Sequence, residues 1–211
     1  MMWIEIFGLI LIAYLIGSIP TAVWVSKGFY GKDVREHGSG NAGATNTIRV
    51  LGYTAGIPVL LFDVFKGWLA VQLAVWISFP DITVSNLTYV EIGCAVAAVL
   101  GHIFPLFAGF RGGKGVGTLA GVGLALYPIS LLVVLGIFIL TLALTRYVSL
   151  SSILGAVSFP FVVYFIAGEH NLALLGLAVF VAVFIPLTHM KNIKRLLKGE
   201  ENRFIFRRKK S

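Results

Sequence analysis

The stretch VGTLAGVGLALYPISLLVVLGIFILTLALT (116–145) carries no charged residue, and whether it crosses a membrane once or twice decides the fold. As one helix it would be about 45 Å long at 1.5 Å per residue, well beyond the ~30 Å hydrocarbon core of a bilayer. Pro128 interrupts it, and a proline removes one helix hydrogen bond and crowds the preceding turn. Two readings follow: one kinked helix, or a short helix over 115–127 followed by a longer one over 128–145. The first piece is short for a crossing. It is also rich in small residues (Gly115, Gly117, Ala120, Gly121, Gly123, Ala125), which permit close helix contact.

Further apolar runs lie on both sides of this stretch, at 4–25, 52–79, 86–107, 149–167 and 171–188. The chain is 58% hydrophobic and only 12% charged, with a mean hydropathy of +0.92. A soluble domain carries about 25% charged residues. So much apolar surface cannot be buried in one water-soluble core, so lipid is the solvent. The expectation is an all-α integral membrane protein forming a single polytopic domain over 1–211. The first apolar run lacks a basic start and a clear small-residue cleavage site, and reads as a retained span. Cys94, the single cysteine, lies inside an apolar run and reads as a packing residue, with no disulfide framework and no cysteine metal site.

Charge decides the number of spans. Loops rich in Lys and Arg stay on the cytoplasmic side. With seven spans and the N-terminus outside, the inside receives Lys27, Lys32, Arg35, Arg49, Arg111, Lys114, Arg146 and the tail 189–211. That tail holds Lys191, Lys194, Arg195, Lys198, Arg203, Arg207, Arg208, Lys209 and Lys210. Lys66 falls within the second span. The outside receives Glu5, Asp81, Glu91 and Glu169, with no Lys or Arg. With six spans, Arg146 and the tail would lie opposite the first two polar loops. Seven spans with a cytoplasmic C-terminus is the expected topology. The basic tail reads as an anchor against anionic headgroups rather than a nucleic-acid surface.

Three glycine-rich or basic segments interrupt the apolar runs on the expected inner side. The first is GSGNAGATNTIR (38–49). Its glycines let the backbone turn N–H groups inward, Ser39, Asn41, Thr45 and Asn46 add donors, and Arg49 can grip a phosphate with two hydrogen bonds. A flexible loop whose small residues merely permit a turn is the other reading. The second, FRGGKGVGT (110–118), opens a helix, where free N–H groups and the dipole attract an anion. Gly112 and Gly113 allow close approach and Lys114 adds a charge. Ala108 replaces the first glycine of a nucleotide phosphate loop and Gly115 replaces its Mg²⁺-binding hydroxyl residue, so neither ATP nor Mg²⁺ is expected. A basic turn that serves only topology is the alternative. The third, HMKNIKRLLKGEE (189–201), puts His189, Asn192 and Arg195 on one helix side, and a juxtamembrane amphipathic helix is the alternative there.

Polar groups also occur where lipid would penalise them. Asp63 and Lys66, three residues apart, read either as a structural ion pair or as a functional pair. His102 reads either as a hydrogen-bonded packing residue or as a base. Arg146, Ser149 and Ser152 gather at the inner end between the fifth and sixth spans, where a serine-capped helix start is the other reading. A cluster of His, Cys and carboxylate ligands is missing, so no metal and no cofactor is expected.

In this order, GSGNAGATNTIR, DVFKG (63–67), GHIFPLFAGFRGGKGVGT (101–118), TRYVSLSS (145–152) and HMKNIKRLLKGEE resemble the bacterial acyl-phosphate:glycerol-3-phosphate acyltransferase family over essentially the whole chain. The resemblance implies transfer of a fatty acyl group from acyl phosphate to the 1-hydroxyl of glycerol 3-phosphate in phospholipid synthesis. Lysophosphatidic acid and phosphate would be the products, made at the cytoplasmic side of the inner membrane. A soluble acyl-phosphate-forming enzyme would be a partner. On this reading Arg49, Lys114, Arg146 and the glycine-loop N–H groups bind the phosphates. Ser39, Asn41 and Thr45 orient the reacting carbonyl or hydroxyl, with Asn41 as oxyanion donor. Lys66 and His102 lie deeper, and Asn192 closes the site. Asn46, Gly112, Gly113, Ser149, Ser152 and His189 complete the candidate set. The His–Asp pair, five residues apart, of other glycerol-phosphate acyltransferases is absent, because Ala42, Phe107, Leu175 and Lys194 follow the four histidines at that distance. A phosphate-ester transporter is the competing reading; it would bind near the midplane between repeats, and no repeat is evident.

Overall fold

The computed structural model describes residues 2–77 and 84–204. Asp81 and the last basic residues, Arg207, Arg208, Lys209 and Lys210, lie outside the described residues, as do the ends of the expected second span (78–79) and of the tail. Ten α-helices are described: α1 (Met2–Gly17), α2 (Thr21–Tyr30), α3 (Ala44–Leu51), α4 (Tyr53–Trp76), α5 (Val84–Ile103), α6 (Val116–Leu126), α7 (Pro128–Thr145), α8 (Val148–Phe161), α9 (Leu172–Thr188) and α10 (Met190–Leu197). They fall into two compact units, 1–128 and 129–211.

In the first unit, glycines let helices cross with their backbones nearly touching. A Cβ at Gly17 or Gly101 would collide with backbone across the α1–α5 crossing, at Ala98 and Tyr14. Gly67 and Gly121 do the same between α4 and α6, against Thr118 and Val64. The small residues of 115–127 therefore serve close contact, as expected. Leu9, Ala13, Ala70, Ala74, Val90, Cys94, Ala97 and Ala98 form one core between α1, α4 and α5. The Tyr14 hydroxyl donates to the Phe104 carbonyl at 2.8 Å and ties α1 to the end of α5.

The expected first span over 4–25 is broken. Between α1 and α2 the chain leaves the helix at Ser18–Pro20, where Pro20 lacks an N–H and biases its predecessor away from helix. The segment 38–49 is not all loop, because α3 begins at Ala44. Arg49, Thr45 and Asn46 are therefore helical residues.

In the second unit, α7 begins at Pro128, where the missing N–H costs nothing. Its surface is apolar and unburied, with Leu132 and Leu144 71% and 76% exposed, as suits a helix facing lipid. Pro160 lies in the last turn of α8, which is followed by a π turn over Val162–Ile166. The Asn171 side chain caps α9 by accepting from the Ala173 and Leu174 amides. The chain then bends by 62° into α10.

Among the described residues, five segments are long and apolar enough to cross a membrane: 2–30, 53–76, 86–108, 128–145 and 148–166. The bent pair α9–α10 raises the number to six. Helix α6 is apolar but only 11 residues long, about 16 Å at 1.5 Å per residue, half a hydrocarbon core.

Candidate active site

The break between α1 and α2 turns Ile19, Pro20 and Thr21 towards α4 and α5. With Asp63 and Lys66 of α4, His102 at the end of α5, Pro105, Ala42 of the first polar segment and Gly112 and Gly113 of the second, they line a small, partly open cleft. Segments far apart in sequence thus converge on one small polar space in the first unit.

Its floor is charged and buried. Asp63, Lys66 and His102 are 3%, 1% and 7% exposed. The Lys66 ammonium sits 2.8 Å from Asp63 Oδ1 and donates to the Ile19 carbonyl at 3.0 Å. Helical spacing of three residues brings the pair together, and the carbonyl is available because the helix has broken there. Thr21 donates its hydroxyl to Asp63 Oδ1 at 3.4 Å, and His102 Nδ1 faces the same oxygen at 3.5 Å. A buried charge needs a partner, and each of these two has one.

The first polar segment is built on Asn46. Its side-chain NH₂ donates to the Val34 and His37 carbonyls at 2.9 and 3.0 Å, and its Oδ1 accepts from the Ser39 amide at 2.8 Å. Asn46 is 1% exposed. Both its donors are spent, so it shapes the loop and does not present itself to a ligand. Ser39 and Asn41 are half-buried along that loop, and Thr45 is half-buried in the first turn of α3. Arg49 and Lys114 are half-buried and engaged with neighbours.

Asp33 and Arg35 tie the chain just before the first segment to the start of the second. Asp33 accepts from Arg35 Nη2 at 2.7 Å, from the Arg35 amide at 3.0 Å, and pairs with Lys27 at 3.1 Å. Arg35 Nη1 goes on to the Ala108 carbonyl at 2.9 Å. The Arg35 side-chain hydrogen bonds above all, then its amide and Lys27, hold the Asp33 carboxyl well below the usual carboxylate range against the opposing effect of burial.

The glycines of the second segment do a different job from the one expected. The Gly112 amide donates to the Ile103 carbonyl at 3.1 Å and the Gly113 amide to the His102 carbonyl at 3.2 Å. These N–H groups satisfy the orphan carbonyls at the end of α5 and are not offered to phosphate. The residues must be glycine because of proximity. A Cβ on Gly113 would strike His102 Nε2 and one on Gly112 the His102 carbonyl. The N–H groups left for an anion are those of the first turn of α6, after Gly115.

In the second unit, polar side chains gather on Glu201. Its Oε1 accepts from Ser149 Oγ at 2.9 Å and Asn192 Nδ2 at 2.7 Å, and its Oε2 from Arg195 Nε at 2.8 Å. His189 donates Nδ1–H to the Ile185 carbonyl at 2.8 Å, and Ser152 bonds back to the Val148 carbonyl. Arg146 is exposed with a left-handed backbone, φ 61°, and its carbonyl accepts the Phe204 amide at 2.7 Å. Ser149, Asn192 and Arg195 are thus on one local framework, Arg146 adjoins it through Phe204, and the His189 and Ser152 side chains bond to carbonyls four residues back. Glu201 organises the framework. It sits in the quoted third motif, but a carboxylate is not expected to hold phosphate and was passed over. Thr21 gave no signal beyond following Pro20. Among the described residues no three His, Cys, Asp or Glu gather as a metal site would need.

The family model described as glycerol-3-phosphate acyltransferase matches residues 7–199. The glycerol-3-phosphate acyltransferase of Chlorobaculum tepidum is 42% identical, the alignment covering 95% of this chain and 97% of that one. The enzyme of the same name from Streptococcus equi subsp. zooepidemicus is 45% identical over 92% of this chain and 90% of its own. The crystal structure of PlsY, an integral membrane glycerol 3-phosphate acyltransferase, in its glycerol 3-phosphate form, superposes with a TM-score of 0.84 at 37% identity, covering 95% of this chain and 96% of that one. Its lysophosphatidic acid form gives 0.80 at 35% identity.

Proposed function

The chain belongs to the glycerol-3-phosphate acyltransferase family, and we propose that it takes its acyl group from acyl phosphate and delivers it to the 1-hydroxyl of glycerol 3-phosphate. It is a membrane acyltransferase of lipid synthesis. We further propose seven crossings of the bacterial inner membrane, with the N-terminus outside and the chemistry at the cytoplasmic side. The outside then carries no Lys or Arg, which supports that orientation. The soluble enzyme that makes acyl phosphate would be the donor's source.

One observation carries the reading: the first and second polar segments meet at one cleft with the α4 ion pair and His102. In the proposed reaction the 1-hydroxyl oxygen bonds to the acyl carbon and the carbon–oxygen bond to phosphate breaks. The phosphate is a good leaving group, so holding two anions in register and stabilising the oxyanion supply much of the rate. We assign the phosphates to Arg49, Lys114 and the first turn of α6, and the oxyanion to Asn41, with Ser39 and Thr45 orienting the reactants. In the second unit Arg146 is a separate candidate for anion binding. The leaving phosphate takes the proton, and His102 is the weaker candidate for that role.

The test is turnover by purified protein with glycerol 3-phosphate and, in turn, acyl phosphate, acyl-ACP and acyl-CoA. Lysophosphatidic acid formed with one equivalent of inorganic phosphate, from acyl phosphate alone, is the expected result. Turnover only with a thioester donor overturns it.

A further inference from the structure

Helix α10 has two faces, and the protein itself partners only one. Asn192 and Arg195 both end on Glu201, at 2.7 and 2.8 Å. Two attachments about one turn apart fix the rotation of the helix about its own axis. Met190, Lys191, Lys194, Leu197 and Lys198 then point away together, within an arc of about 120°. All five are exposed, Leu197 by 84%. Lys191 and Lys194 are three residues apart, and Lys194 and Lys198 four, so like charges face one another. Arg195 has Glu201 to offset its charge. Among the described residues, the three lysines form no ion pair.

The arc is also sorted. Leu197 and Met190 form one edge, and Lys194, Lys198 and Lys191 follow in turn around the helix. An exposed leucine beside a row of lysines suits the boundary between hydrocarbon and water. There the apolar edge dips among acyl chains while the long lysine side chains reach the headgroups. The chain meets that boundary directly, because α10 follows apolar α9 and turns 62° from it. With α9 crossing upright, a helix so turned runs nearer the membrane plane than its normal. We propose that the outer face of α10 is a docking surface for anionic phospholipid headgroups, with Met190 and Leu197 seated among the acyl chains beneath them. This rests on α9 crossing the membrane and is independent of the acyl donor. Lipid phosphates supply the counter-charge that the three lysines lack in the chain. The surface is narrower than the basic tail as a whole, since Arg195 is held inward by Glu201. Helix α10 is thereby gripped on both sides, by Glu201 within the protein and by the bilayer outside it. An anionic lipid is favoured there about 5-fold over a zwitterionic one, the factor that ~1 kcal/mol per lysine represents.

The experiment places a fluorescent dye on Met190→Cys, in a Cys94→Ala background of the full-length protein, reconstituted in mixed phosphatidylcholine and phosphatidylglycerol vesicles. Quenching by phosphatidylglycerol brominated on its acyl chains, against brominated phosphatidylcholine, reads the lipid preference beside α10. The anionic lipid should be preferred about 5-fold. Lys191→Gln, Lys194→Gln and Lys198→Gln together should bring the two lipids to parity. Removing the same charge further along the tail, with Arg207→Gln, Arg208→Gln and Lys209→Gln, should leave the preference within about 2-fold of its starting value. The α10 triple variant should keep its melting temperature, since none of the three lysines touches Glu201. Equal quenching by the two lipids in the parent protein overturns the proposal, and so does an equal loss in both triple variants. Quenching by aqueous iodide but by neither brominated lipid also overturns it, and turns the face towards water or an acidic protein. If a dye at 190 unsettles the helix, Leu197→Cys reports from the same edge. Lipid contact is the readout and turnover is not, so the result stands apart from the choice of acyl donor.

Discussion

Replacing Asn46 by alanine separates a residue that builds the loop from one that binds substrate. Its side chain makes three hydrogen bonds, to Val34, His37 and the Ser39 amide, all around a position 1% exposed. Each is worth about 0.5–1.5 kcal/mol net; the Ser39 amide loses its acceptor, while the Val34 and His37 carbonyls keep the His37 and Gly40 amides as donors. The loss is therefore about 3 kcal/mol, concentrated in 34–43 and not spread over the helices. The Ser39 amide reports it directly. Its exchange with solvent should rise by roughly 100-fold, the factor that 2.7 kcal/mol represents, while amides in the middle of α4 stay protected. Turnover should fall with it, because the loop that carries Ser39 and Asn41 is no longer held in one shape. Asn46→Asp keeps the acceptor for Ser39 but turns a carboxylate towards two carbonyls, and should be no better than alanine. An Asn46→Ala enzyme with wild-type protection at Ser39, an unchanged kcat and only a raised KM for either substrate would refute the reasoning and return Asn46 to the ligand set.

Glu201→Gln leaves Arg195 without its carboxylate and weakens two further hydrogen bonds; a cost of about 2 kcal/mol should lower the melting temperature by roughly 4–8 °C, and an unchanged melting temperature would show that the framework does not depend on the charge. The Asp33 carboxyl is depressed in the folded protein, so its stabilisation is complete above the unfolded value near 3.9, begins to be lost as pH falls below it, and is gone only once pH has fallen through the lowered folded value. Melting of the wild type should therefore drop more steeply than that of Asp33→Asn between about pH 5 and pH 3, and parallel curves would sink this. In a Cys94→Ala background, a cysteine at Glu169 should label from outside intact cells and one at Gly31 should not, and external labelling at 31 would overturn the proposed orientation.

The apolar helices were legible because lipid imposes a length and a hydropathy that the chain must display in its own letters. Pro128 marked the start of α7, and the structure begins that helix there. The break at Ser18–Pro20 was not legible in the same way, since the dip at Gly17, Ser18, Pro20 and Thr21 is short and strongly apolar residues flank it, and yet it is what brings Thr21 and the Ile19 carbonyl to the cleft. Pro20 was the available signal, and it was outweighed by the apolar residues on either side. Helix α3 was hidden by its own composition. Ala44-Thr45-Asn46-Thr47 looks like a turn, but Asn46 has carbonyls to bind at Val34 and His37, and Thr47 returns its hydroxyl to Gly43; tertiary partners override weak local preference. The site shows the same division. That Asp63 and Lys66 could pair follows from a spacing of three. That the Gly112 and Gly113 amides are already committed follows only from knowing that α5 ends, with its carbonyls unpaired, directly beneath them. Glycines in a basic loop advertise close approach, and what approaches is decided by where the neighbouring helix stops. Here it is protein backbone: the Gly112 and Gly113 amides are committed to the Ile103 and His102 carbonyls.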